Sequence, residues 1–404
     1  LARTIAAAVA LAAAAVSSPA DPIPIPLPEF DFLDWWTRQS FACPVWKGTL
    51  PIGFQDLAGS TCSNVWTRTH TFGSTTARLY QVPGAWQTEA RYSEIVNGAE
   101  AAIKKGLATF GTFAGPLTIN IGIAWGGIGD LVKVDDDNTG TKDPCYILID
   151  FPASWNDIPL AAIQKDVIGR MYQCVEQYHK PSVTTWTDGN KWWRRGLARY
   201  FDGLSYPAKT EFLNKGLYPE EYQYGVTLYQ NSDASSLFFH FAQQNGWTPV
   251  DVNTWMKGHA NKASYGEERQ ALSTDTKITS GFWHKFIIAS IDGTIKYPGG
   301  QKITNTLGGP PKRTYTDVVS LAVGSDWSKT VSISSFKGGS HVFPVKGGQT
   351  MRISMQTEAK IEWSLRKAGT AAWNSGARDR TVDIVVPAGV STNYEIALSS
   401  TRND

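Results

Sequence analysis

Apolar residues at Tyr92, Ile95, Val96, Ala99, Ala102, Ile103, Leu107 and Phe110 recur every three or four positions, the spacing that lines one face of an α-helix. The pattern predicts an amphipathic helix over residues 88–110. Two runs after it, "LTINIGIAW" at 117–125 and "CYILIDFP" at 145–152, are short, apolar and rich in β-branched residues, and read as strands. The polar stretch between them, "DDDNTGTKD" at 135–143, has Asp135, Asp137, Thr139 and Gly140 at the early spacings of a calcium loop. It lacks the closing Glu, so it reads as a hairpin turn. Helical periodicity returns at about 160–178 and again in "GNKWWRRGLARYFDGL", where Trp193, Leu197, Tyr200 and Leu204 form an apolar stripe. Residues 232–246 and 280–293 also read as helices, with Asp233 and Ser280 as expected N-caps.

The pattern differs at both ends of this central block. Residues 40–86 mix Gly, Thr and Trp with alternating segments such as "TTARLYQV", which predict short strands. From residue 314 to 404 the chain is rich in Ser, Thr and Val, alternates, and is broken by Gly pairs ("TMRISMQ", "KIEWSLRK", "TVDIVVPAG"). That texture predicts an all-β module, most simply a sandwich. Arg3, an apolar run over residues 5–16 and small residues up to Ala20 predict a secretory signal peptide over 1–20. A proline-rich extended leader follows over 21–39. The mature protein is thus expected to be secreted and extracellular.

Composition narrows the function classes. A chain of 404 residues with 42% hydrophobic and 18% charged residues can bury a large core. A formal net charge of +2 gives no electrostatic case for nucleic acid or an anionic membrane as partner. Four cysteines, Cys43, Cys62, Cys145 and Cys174, fit an oxidising compartment and allow three pairings. Cys43–Cys62 and Cys145–Cys174 are favoured because each closes a short loop. A monomer is expected.

The candidate chemistry lies in "VIGRMYQCVEQY" (167–178) and "WWRRGLARY" (192–200). Both resemble motifs of the gluzincin branch of zinc peptidases, specifically secreted peptidase-MA-like enzymes. There the first motif reads roughly V-I-A-H-E-L-x-H-x-V-Q and the second W-x-x-E-G-x-A-x-Y. The resemblance covers about residues 88–295. It implies an α+β zincin-like fold, a mixed sheet plus a helical subdomain over 87–300, followed by the C-terminal β-sandwich. In the family, two His one helical turn apart hold the zinc, an adjacent Glu is the general base, and a Glu on the second helix is the third ligand. Here the first His falls on Arg170, the base on Met171, the second His on Cys174 and the ligand Glu on Arg195. Gln177, Gly196, Ala198 and Tyr200 keep the frame. Shifting the register by one puts Gly169, Arg170 and Gln173 in the first three places.

Either register removes the zinc ligands. Arginine is donor-only and permanently charged, so Arg170 and Arg195 repel a cation. A secreted Cys174 is better placed as half of a disulfide than as a lone ligand. The expectation is therefore a protein without a cofactor that is not an active metallopeptidase. By helical spacing Arg170, Cys174 and Gln177 share one face and Arg195 and Arg199 another. In the resemblance's frame Arg170 and Arg195 converge where the cation sits, with Gln177, Tyr200 and Arg199 in support. Paired guanidiniums suit a carboxylate, phosphate or sulfate. The expected partner is an extended peptide or acidic glycan. Two other readings remain open: a metal-independent hydrolase or lyase on an acidic glycan, and an active zinc peptidase with an unrecognised site. The plainer reading of each cationic face is a solvated helix surface or an ion pair with local acids such as Asp166, Glu176 and Asp202.

Overall fold

The computed structural model describes residues 66–81, 90–125, 132–134, 145–151, 159–181, 183, 187–207, 227–230, 235–303, 313–314, 335–346, 349–354, 360–376, 381–386 and 391–403. The expected signal peptide, the proline-rich leader, Cys43, Cys62, the 135–143 turn and Asp233 lie outside them.

The protein is mixed α and β. Strands β1 (Trp66–Phe72) and β2 (Thr75–Gln81) form an antiparallel hairpin, helix α1 (Ala90–Ala114) crosses over, and β3 (Thr118–Trp125) pairs parallel to β2. Strands β4 (Val132–Val134) and β5 (Cys145–Phe151) complete a sheet of order β1-β2-β3-β5-β4, with β3 and β5 parallel and β4 and β5 antiparallel. The periodic positions of α1 from Ile95 to Phe110 are all buried, which is why a helix of that length holds its place on the sheet. Arg68 on β1 pairs with Glu100 on α1 at the sheet's edge.

Two helices follow: α2 (Leu160–His179) and α3 (Lys191–Ser205). Next come α4 (Ser236–Gln244), α5 (Pro249–Gly258), α6 (Tyr265–Thr274), a single turn α7 (Thr276–Thr279) and α8 (Phe282–Ile291). The sequence reading did not identify α5 and α6. Each begins with a reciprocal capping box, Thr248 with Asp251 and Ser264 with Glu267, which satisfies two otherwise orphan backbone N–H groups. The expected N-cap Ser280 is corrected to Gly281. At that position φ is +81°, a conformation glycine adopts without the Cβ clash a serine would meet.

The C-terminal region holds two further sheets. One has order β10-β9-β12-β7-β6, from β6 (Arg313–Thr314), β7 (Gly338–Lys346), β9 (Ile361–Lys367), β10 (Asn374–Gly376) and β12 (Ser391–Ser400). The other is the antiparallel pair β8 (Gln349–Ser354) and β11 (Thr381–Val386). Helix α8 packs on β7 and β12, and Gly338 makes this possible. A Cβ there would lie 2.4 Å from Ile287 Cγ1. His284 of α8 locks the contact, with Nδ1 2.7 Å from Ser399 Oγ and Nε2 2.8 Å from Ser364 Oγ. Trp363 is fully buried core, while Trp373 donates to Asp292 Oδ2 at 2.9 Å under the Arg366 guanidinium.

Candidate functional site

Helices α2 and α3 run antiparallel in close contact. Arg194 donates to Glu176 at one end of the pair, and Arg199 Nη1 pairs with Asp166 Oδ1 (2.9 Å) at the other. Between them Gly169 backs onto Ala198, where a Cβ would lie 3.4 Å from the Ala198 carbonyl oxygen. Gly196 has the same role toward α4: a Cβ would meet Ser235 Oγ at 2.1 Å. The small residues of the second motif are thus close-packing positions. Trp192 and Trp193 beside them are fully buried, with Trp192 stacked on Phe239.

The sequence-derived site residues go in several directions. Arg170 is half-buried, and its Nη1 donates to Gln173 Oε1 at 3.0 Å. Met171 is fully buried, with Sδ against Gly106 of α1. Cys174 is disulfide-bonded to Cys145 of β5. Gln177 is buried nearby, its Oε1 3.9 Å from Cys145 Sγ. Arg195 is exposed. Arg199 sits between Asp166 and Asp202, 3.3 Å from Asp202 Oδ2. Tyr200 is fully buried, its ring 5.0 Å from that of His240. The structure therefore joins Arg170 to Gln173 and Arg199 to two carboxylates.

This donor set does not fit zinc. Guanidiniums offer no lone pair, and a disulfide sulfur is not a thiolate. Among the described residues, no group of three or more His, Cys, Asp or Glu is arranged to hold a metal ion. No helix among them is long and apolar enough to cross a membrane.

Two buried polar clusters were not read from the sequence. The first surrounds Glu268 of α6, whose Oε1 accepts from Trp192 Nε1 and lies 2.7 Å from both that atom and His259 Nε2. Lys180, just past α2, donates to the His259 carbonyl and lies over the Trp193 ring. This cluster ties the ends of α2 and α3 to α5 and α6.

The second lies at the opposite end of the pair. Lys165 of α2, Tyr200 and Asp202 of α3, His240 of α4 and Tyr297 beyond α8 are all buried. Burial pushes the Asp202 carboxyl up to about 7, against the pull of Arg199 and Lys165. Burial pushes His240 down to about 3, with Lys165 adding to the effect, so its ring is neutral. Burial also lowers Lys165, partly offset by Asp202, and raises both tyrosines. Lys165 escaped the sequence reading because it belongs to the polar face of α2, a face that α3 covers.

No protein-family model matches the sequence, and no curated protein matches it. Among solved structures the chain is similar to an aminopeptidase N family protein from Idiomarina loihiensis, with 13% identity and a TM-score of 0.28. The match covers 60% of this chain and 46% of that one, so the chain spans less than half of that protein's length.

Proposed function

We propose that the protein is a secreted pseudo-metallopeptidase: a gluzincin-like core with a C-terminal β-sandwich that binds an extended peptide or acidic glycan and does not hydrolyse it. One observation carries this reading. Every side chain at the would-be zinc positions of α2 has another use or the wrong chemistry: Arg170 bonds Gln173, Met171 packs on α1, and Cys174 is in a disulfide. The register shifted by one offers no zinc site either: Gly169 has no side chain and backs onto Ala198, and Gln173 is buried and bonded to Arg170. In that register Arg170 and Gln173, already hydrogen-bonded, stand at the positions of the general base and the second histidine. Arg170 and the exposed Arg195 are the guanidiniums this reading assigns to an acidic group on a ligand, since guanidiniums bind carboxylate or sulfate through paired N–H donors.

The test is elemental analysis of the mature protein after dialysis against trace zinc, together with a binding screen on acidic glycans and acidic peptides. The expected result is zinc well below one equivalent and saturable binding that Arg170→Ala with Arg195→Ala weakens at least tenfold. Stoichiometric zinc with chelator-sensitive peptidase activity would sink the reading.

A further inference from the structure

The second buried cluster has more hydrogen-bonding capacity than its own members use. Lys165 Nζ, Asp202 Oδ1, the Tyr200 and Tyr297 hydroxyls and both ring nitrogens of His240 are buried and have no hydrogen-bond partner among the described residues. They are near one another. The His240 ring lies 5.0 Å from the Tyr200 ring and 4.9 Å from the Tyr297 ring. Gly203 lets the rings come this close to α3: a Cβ there would be 2.8 Å from His240 Nε2 and 3.1 Å from Tyr297 Cε1. Lys165 is electrostatically coupled to Asp202 and His240, and Asp202 to Tyr297.

A buried polar group left unpaired costs about 1–3 kcal/mol, so a gathering of them is stable only with a shared partner. The chemistry of that partner follows from the inventory. Lys165 brings three N–H donors, each tyrosine an O–H and the neutral His240 one N–H, against Asp202 Oδ1 and one ring nitrogen as dedicated acceptors. The surplus of donors calls for an acceptor-rich guest. The charges call for a condition on it. Lys165 and Arg199 are balanced by Asp166 and Asp202, and an added anion restores balance only if one carboxyl is neutralised. Asp202 is the candidate, because it is fully buried while Asp166 is partly exposed.

We propose that Lys165, Tyr200, His240 and Tyr297 form an internal site for a small carboxylate-type oxyanion, which enters together with a proton on Asp202. Protonated Asp202 then adds a further O–H donor to the site, and no covalent step is involved. The route in passes Asp166 and Arg199, whose side chains are 28% and 35% exposed at the cluster's outer edge. This site is separate from Arg170 and Arg195 and stands whether or not those arginines bind a ligand. The folded-state value of Asp202 near 7 supports the coupling and sets its scale. Binding that requires the neutral acid weakens about tenfold between pH 6 and pH 8.

The experiment uses the full mature chain. Thermal unfolding and titration calorimetry are run with sodium formate against sodium chloride at equal ionic strength, at pH 6 and pH 8. Formate is expected to stabilise saturably where chloride does not, about tenfold more weakly at pH 8. Asp202→Asn is expected to keep formate binding and lose its pH dependence, and Lys165→Met to abolish binding. Tyr297→Phe, a milder change, is expected to weaken it several-fold and serves if Lys165→Met does not fold. The absence of a saturable formate effect at both pH values would overturn the site and leave these groups to water alone. So would equal binding by wild type and Tyr297→Phe. Binding equally tight at pH 6 and pH 8 would overturn the proton coupling.

Discussion

Replacing Cys145 and Cys174 together by alanine removes the covalent tie between β5 and α2, and the cost can be worked out from the chain. The two cysteines are 29 residues apart. Closing a loop of that length removes about 12 cal/mol/K of unfolded-chain entropy, or about 3.6 kcal/mol at 25 °C. The Cys174 site is fully buried and the Cys145 site nearly so, and losing both sulfurs leaves a small void worth on the order of 1 kcal/mol more. The expected loss for the double variant is therefore about 4–5 kcal/mol. Urea unfolding, followed by tryptophan fluorescence and far-ultraviolet circular dichroism, measures it. Wild type in reductant isolates the cross-link, because it keeps both sulfurs, and is expected to lose about 3.6 kcal/mol. An unchanged urea midpoint on reduction would refute the entropy reasoning. Alkylation of Cys174 in native, unreduced protein would refute the disulfide itself and return the thiol to the list of metal ligands.

Three further outcomes are expected. Arg194→Met leaves Glu176 charged in a fully buried position and should cost about 3–5 kcal/mol in urea unfolding, with much of it recovered by adding Glu176→Leu. A double variant as unstable as the single one would show that the pair is not the source. His284 is held down to about 4 by burial, so the unfolded chain takes up a proton near pH 6.5 that the native protein refuses. Its contribution to stability is complete above pH 6.5 and is lost as pH falls from there toward 4, by at most about 1.4 kcal/mol per pH unit. His284→Asn should flatten that limb relative to wild type in stability measured from pH 7 to pH 4, and an unchanged slope would count against it. Gly196→Ala drives a methyl into Ser235 Oγ and should cost about 1–3 kcal/mol by the same measurement.

What was legible in the sequence was whatever depended on one element alone. The periodicity of α1, the apolar runs of β3 and β5, and the stripe through Trp193, Leu197 and Tyr200 all mark surfaces that bury against something, whatever that something is. The starts of α5 and α6 were legible too, in Thr248 with Asp251 and Ser264 with Glu267, but the weak apolar patterns behind those caps hid the helices. Contacts between elements were not legible. Lys165, Glu176, Arg194 and Asp202 look like solvated residues in a helical projection, yet all four are buried where α2 and α3 meet or where α4 covers them. The bare pattern does not say that a polar face will be covered.

That covering bears on how the first motif should be aligned. A helix of this kind presents its two metal ligands at i and i+4 and its general base at i+1, all toward one open space. Successive positions of α2 instead meet different neighbours: Gly169 the Ala198 carbonyl, Arg170 its own Gln173, Met171 the Gly106 side of α1, and Cys174 the β5 strand. An alignment that puts these three positions at 170, 171 and 174 asks for an open cleft on the side of the helix that the sheet and α1 fill. The shifted alignment puts the two ligand positions at 169 and 173, which are buried as well, Gly169 against the Ala198 carbonyl and Gln173 beside its donor Arg170. The partly exposed Arg170 and its partner Gln173 then mark the side where a ligand would have to approach. Substitution tests this division of α2 into a core side and a partly exposed side. Arg170→Ala should cost about 1 kcal/mol, through the bond lost to buried Gln173, and otherwise change only ligand binding, whereas Met171→Ala should cost about 2–5 kcal/mol as a core truncation.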